Sequence, residues 1–159
     1  MNKPKAIGTA AETAVARYLQ AHGFPSAERR ALRGIADAGD ITGCPGICVE
    51  VKGGEAAKNA SDLLVADWLE ETEKERLNAR ADIGVLVLQR RGVGPANAGR
   101  WWAVMPSRAV TLLSYPDAVF YDDPDAVTPS VSTRMHLIDA VQLLRWAGYG
   151  NPLPVEVSA

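Results

Sequence analysis

Hydrophobic and polar positions alternate most clearly over residues 47–52. Ile47, Val49 and Val51 fall on one face, and Cys48, Glu50 and Lys52 on the other. This period of two marks a strand with one face in a core. Its polar face ends in a carboxylate and an ammonium two residues apart. A short apolar approach carrying Asp40 comes before it, followed by a tight turn over residues 42–46. If the chain folds back around Pro45 as a hairpin, Asp40 comes close to opposite Glu50, on the same face.

Elsewhere the pattern changes period. Over residues 6–22, Ala11, Val15, Tyr18, Leu19 and His22 recur at helical spacing and define a buried face. Thr9 is placed to cap this helix and Gly23 to end it. Residues 24–32 read as a strand, with Pro25 arguing for an edge position or a late start. Residues 53–60 read as a mobile loop carrying Lys58. A second helix runs from Ser61 and Asp62 to about Arg80. Leu64, Trp68 and Leu77 mark one side of it, with Leu63, Leu69 and Thr72 beside them. Its run of Glu70, Glu71, Glu73 and Glu75, mixed with Lys74 and Arg76, reads as a solvated face.

The continuous apolar run at 83–88 fits a central strand buried on both sides. Residues 101–105 return as a strand across a loop at 92–99 rich in Gly, Pro and Asn, most simply as a hairpin. Arg90, Arg91 and Arg100 then lie near its tip. A short helix begins at Pro106 and Ser107 and runs to about Leu113. Residues 115–128 read as irregular, 132–136 as a last strand, and 137–146 as a closing helix that stops at Gly148. The expected fold class is α/β, a central mixed sheet flanked by helices. One domain is expected over 1–159, with a core at about 5–106, an extension at about 107–150 and a frayed tail at 151–159.

Composition narrows the function. With 47 % hydrophobic and 23 % charged residues, the chain of 159 residues is ordinary for a globular domain with a real core. No apolar run approaches the ~20 residues that span a bilayer, and the N-terminus has no apolar signal region. A cytoplasmic setting is expected (the host cytosol if the chain is phage-encoded), with no membrane partner. The net charge of −2 argues against a sequence-blind nucleic-acid coat. It leaves room for an enzyme that touches a few phosphates through a local patch. Cys44, Cys48, His22 and His136 do not match the spacing of a zinc ribbon or finger. Reduced cysteines packed in or beside the hairpin are expected, and the tryptophans Trp101, Trp102 and Trp146 read as core in preference to a dimer face. There is no phosphate-binding P-loop and no Gly-x-Ser-x-Gly.

The candidate chemistry is the hairpin. Two acids converging near a lysine raise each other's pKa, and a divalent cation between them removes that penalty. Glu12 reads either as a first-turn acid favouring the helix dipole or as a third acid of the site. Arg29, Arg30 and Arg33 cluster just before the hairpin, as solvated charge or as phosphate contacts. Asp37 sits in a small-residue loop and reads as a turn residue in preference to an extra ligand. Asp122, Asp123 and Asp125 read as a surface loop.

A helix with Gly8 and Glu12, then Gly23-Phe24, Arg29-Arg30, Gly39-Asp40-Ile41 and Val49-Glu50-Val51-Lys52, resembles the PD-(D/E)XK nuclease superfamily. Within it the chain looks most like archaeal-type and phage Holliday-junction resolvases. The matching pieces cover roughly the first third. The departure is Ile41 in place of proline beside Asp40, and the stretch beyond about Pro106 matches nothing in the pattern. The resemblance implies a restriction-endonuclease-like core and a Mg2+-dependent endonuclease, with Mn2+ as a substitute ion. It implies Asp40 and Glu50 as metal ligands, the Val51 carbonyl as a further ligand, and Lys52 as a catalytic cation. Glu12 completes the metal shell or holds Lys52. Arg29, Arg30, Arg33 and Lys58 are the expected nucleic-acid contacts. The implied partners are branched DNA and a second copy in a homodimer. Two alternatives stay open: another nuclease of the superfamily acting on linear or single-stranded DNA, and a non-catalytic DNA-binding module with a relict site.

Overall fold

The apolar run IGVLVL forms β4 (Ile83–Leu88), and all six of its residues are buried. A strand without a polar face needs cover on both sides. The computed structural model describes residues 3–30, 38–117 and 131–154, and in it six strands make one sheet in sequence order. The other five are β1 (Glu28–Arg29), β2 (Ile41–Thr42), β3 (Ile47–Lys52), β5 (Trp102–Pro106) and β6 (Ser132–His136). β3 runs parallel to β4, and the remaining neighbours are antiparallel. The helices are α1 (Lys3–Ala21), α2 (Gly54–Lys58), α3 (Asp62–Asn78), α4 (Ser107–Ser114) and α5 (Leu137–Trp146). The architecture is α/β, a mixed open sheet flanked by helices.

A parallel pair needs a crossover, and α3 supplies it between β3 and β4. Side chains then divide between two cores. Val49, Val51, Val85 and Val87 meet Val15 and Leu19 of α1, Leu113 of α4 and Val141 of α5. Leu86 and Leu88 face the other way, toward Val104 and Val65, with Trp68 and Trp102 at the margin. Glu50 pairs in register with Leu86, and Lys52 with Leu88. The polar face of β3 therefore lies on the α3 side of the sheet.

Several local expectations need correction. α1 begins at Lys3, so Thr9 is inside it, where its carbonyl accepts from the Thr13 hydroxyl at 2.7 Å. Glu12 is consequently no first-turn acid. His22 is exposed and stacks on Tyr18 instead of entering the core. The strand expected at 24–32 is confined to Glu28–Arg29 among the described residues. The loop expected at 53–60 holds α2, and the segment before β5 contains a 3-10 turn at Pro95–Arg100. On α3, Leu63 and Leu77 are exposed, while Thr72 and Glu75 are buried. Trp101 is fully buried, Trp102 is half-buried, and Trp146 is exposed. Asn151 and Pro152 are not frayed. The Asn151 N–H donates to the Gly23 carbonyl at 2.7 Å, and Arg145 donates to both their carbonyls. No helix among the described residues is long and apolar enough to cross a membrane.

The turn after β2 depends on Gly43. Its φ is +78°, and a Cβ there would fall 1.8 Å from the Ser26 carbonyl oxygen. Gly43→Ala is expected to cost ~2 kcal/mol or more, read as a fall in Tm of about 5 °C or more. Gly92 has a similar φ of +74°, but a Cβ there would meet nothing within 4 Å. Gly92→Ala should cost only ~1 kcal/mol. Equal melting temperatures for the two variants would contradict the role of packing at Gly43.

Candidate functional site

The site begins with Gly39. Its φ is +84°, and a Cβ would lie 2.9 Å from both Cys48 Sγ and the Val49 carbonyl oxygen. Only glycine lets the chain lie this close to β3. Asp40 follows. Its N–H donates to the Val49 carbonyl at 2.9 Å, and the Val51 N–H donates to Asp40 Oδ2 at 2.9 Å. Arg30 braces the approach, with Nε donating to the Gly39 carbonyl at 2.9 Å and Nη2 to the Ala38 carbonyl at 3.2 Å. The Asp40 carboxyl is thereby fixed within hydrogen-bonding reach of Glu50.

Glu50 is only 7 % exposed. Its Oε1 accepts from Lys52 Nζ at 2.8 Å. α3 closes over this pair. Glu71 Oε2 lies 3.7 Å from Lys52 Nζ, and the Trp68 ring centroid lies 5.8 Å from it. Glu75, also 7 % exposed, stands within hydrogen-bonding reach of Glu50.

Burial sets the electrostatics. It pushes the Asp40 carboxyl up to about 7, the charge of Glu50 adds to the rise, and the Val51 N–H opposes it. Burial likewise pushes Glu50 up to about 7; Lys52 opposes this, while Glu75 adds to it. For Lys52, burial works against the charged form. The hydrogen bond and charge of Glu50, followed by Glu71 and Asp40, outweigh it and raise the ammonium above the ordinary lysine value. At neutral pH the lysine is charged, and the two acids titrate as a coupled pair. Such a pair accommodates a proton or a cation between its members.

Not every expected member joins. Glu12 Oε2 lies 3.4 Å from Arg29 Nη1. Burial and the charge of Asp40 raise the Glu12 pKa, against Arg29. Glu12 thus feels the field of Asp40 while engaged with an arginine. Val51 enters the site through its N–H. Lys58 sits on α2, where it pairs with Glu55 at 2.9 Å. Arg33, Asp37, Asp122, Asp123 and Asp125 lie outside the described residues. Burial pushes the thiols of Cys44 and Cys48 up to about 11 and about 12, so neither is a thiolate at neutral pH.

Among the described residues, no three His, Cys, Asp or Glu side chains form a group that could hold a metal ion. The donors that suit a divalent cation are therefore the two hard oxygen groups of Asp40 and Glu50. That set fits magnesium, which is commonly held by one or two carboxylates with waters and substrate phosphates.

Glu75 is the residue that sequence reasoning missed. Its signal was its spacing. Val65, Trp68, Thr72 and Glu75 succeed one another at intervals of three and four, so Glu75 continues the inward stripe of α3. Compared with family models, characterised proteins and solved structures, the chain finds no match.

The pair makes stability depend on pH. Unfolded, Asp40 and Glu50 carry ordinary values of 3.8 and 4.5; folded, both lie at about 7. The stability they contribute is fully present below about pH 4 and is lost as pH rises through about 7. In metal-free buffer, Asp40→Asn with Glu50→Gln is expected to be more stable than the parent at pH 8, by on the order of 2 kcal/mol. The advantage should vanish near pH 4. Thermal melts across this range check it, and parallel Tm profiles for the two proteins would contradict it.

Proposed function

We propose that this chain is a magnesium-dependent nuclease hydrolysing DNA phosphodiester bonds, with Asp40, Glu50 and Lys52 as its working groups. The observation that carries this reading is the desolvated Asp40–Glu50 pair held beside a charged Lys52 at the end of β3. The order of elements supports it as well. One helix, three antiparallel strands, a crossover helix and a parallel fourth strand agree with the restriction-endonuclease-like core implied by the sequence resemblance.

In this reading Asp40 and Glu50 would hold Mg2+ through their carboxylate oxygens. When bound, the ion supplies an acidified water and offsets charge on the scissile phosphate. Both carboxyls must be ionised to bind it, so affinity rises with pH up to their titration range. Lys52 remains an ammonium, so it serves as a donor to a phosphate oxygen and not as a base. Glu50 and Glu71 aim it. Water attacks phosphorus in line, the bond to the 3′ oxygen breaks, and the products carry a 5′-phosphate and a 3′-hydroxyl. Glu12, whose carboxyl is raised by burial and by the charge of Asp40, stands beside the pair. The resemblance extends the proposal to branched DNA cut by a two-fold dimer.

A second reading has one observation in its favour: among the described residues, no three His, Cys, Asp or Glu side chains are placed to hold a metal ion. In it the acids form a structural cluster in which Asp40 and Glu50 share a proton.

Two measurements separate the readings. Under the nuclease reading, saturating Mg2+ or Mn2+ at pH 8 should raise the Tm by a few degrees, an effect absent from Asp40→Asn. The same ions should support cleavage that EDTA abolishes. Asp40→Asn and Lys52→Ala should lower cleavage by ~100-fold or more while remaining folded. Four-way junction, duplex and single-stranded substrates compared side by side assign the substrate class. A Tm indifferent to both ions, with no DNA cut, leaves the structural cluster.

A further inference from the structure

A second polar feature lies at the same end of the sheet as Lys52. The Gln89 N–H donates to the Lys52 carbonyl at 2.9 Å, and Gln89 Oε1 accepts from the Gly54 N–H at 2.8 Å. Gln89 thereby links the acidic site to a cleft of about 200 Å3 between α2, the end of β4, and β5 and β6. Lys58, Arg90, Arg91 and Arg134 line this cleft. Only two carboxylates pair with these four cations among the described residues: Glu55 with Lys58, and Asp62 with Arg134 at 3.5 Å. Asp62 has a fully exposed side chain, so solvent screens it. The cleft is cationic in a chain whose net charge is −2.

One of the cations is held in place. The Arg90 guanidinium carbon lies 4.4 Å from the Trp102 ring centroid, and Nη1 donates to His136 Nε2 at 2.9 Å. His136 stacks on the same tryptophan. Arg91 is steadied by Asn59. A guanidinium packed on an aromatic face keeps donors free for a ligand and loses little freedom on binding it. Arg29 and Arg30 lie outside this cleft, against Glu12 and the backbone at 38–39.

We propose that this cleft seats a backbone phosphate of the nucleic-acid strand and so sets the strand's position on the acidic site. Lys58, Arg90, Arg91 and Arg134 are its contacts. In its choice of ligand the proposal rests on the nuclease reading; the cationic geometry does not. Of the phosphate contacts expected from the sequence, Lys58 belongs to this cleft.

The test uses Arg91→Gln with Arg134→Gln. Both side chains are solvent-exposed, so the fold should hold, and an unchanged Tm confirms it. Binding of fluorescently labelled DNA is followed by anisotropy without Mg2+, over a salt series. The double variant is expected to bind ~10-fold or more weakly at 0.1 M salt, with a shallower dependence of log affinity on log salt by about 1 to 2. Parental affinity and salt dependence in the double variant would overturn the proposal, as would a parent that binds no DNA. Cleavage is scored separately. Loss of binding in the double variant supports the cleft even if no protein here cuts DNA, an outcome that sinks only the nuclease reading. Cleavage that requires Asp40 but ignores both arginine substitutions sinks only the cleft.

Discussion

Two backbone hydrogen bonds fix Asp40 against β3, one through its N–H to Val49 and one through its carboxyl to Val51. This tether brings the half-buried Asp40 carboxyl alongside the buried Glu50. The carboxyls would separate if either were free to turn to solvent. Gly39 allows the approach, since any side chain there would strike Cys48 and the Val49 carbonyl. Arg30 closes it from behind. The arrangement is costly to the apo protein, because desolvation and proximity both oppose ionisation. It persists because β3 and its parallel neighbour β4 are buried on both faces, which holds β3 in register.

α3 does two jobs here. It carries the chain from β3 to its parallel neighbour β4, and its inward stripe roofs the site. Trp68 and Glu75 reach Lys52 and Glu50 from that stripe, and the exposed Glu71 reaches Lys52 from beside it. Lys52 is therefore enclosed by acids and an aromatic face, which keeps it charged despite partial burial. The two ends of this surface differ in sign. Acids gather at the end of β3, and arginines gather beside the end of β4, joined through Gln89. A polyanion that needs a cation at one point and direct contacts at another suits that division.

Much of the fold was legible in the sequence. The unbroken apolar run at 83–88 required a doubly covered strand, and the alternation at 47–52 assigned each side chain of β3 to a face. Ser132–His136 and Leu137–Trp146 have the bounds that the pattern predicts. The site was legible where it depends on one hairpin, since a turn of fixed length places Asp40 opposite Glu50. It was less legible where distant elements meet. Glu75 read as solvated because charge outweighed spacing, yet its place in the stripe of α3 decided its burial. Arg29 and Arg30 read as solvated charge or as phosphate contacts, and their partners, Glu12 and the backbone at 38–39, could not be read because tertiary packing sets them. The arginine cleft draws on α2, β4, β5 and β6, and no local pattern joins those four.

If Asp40 and Glu50 are held together to take a divalent cation, the ion should be visible between them. A crystal grown at pH 8 and soaked in Mn2+, with anomalous scattering recorded at the manganese edge, decides the matter. One anomalous peak is expected, bridged by the carboxyls of Asp40 and Glu50, with water completing its coordination. No peak there, with the two carboxyls still in mutual hydrogen-bond contact, would show that they hold a proton and not a metal ion.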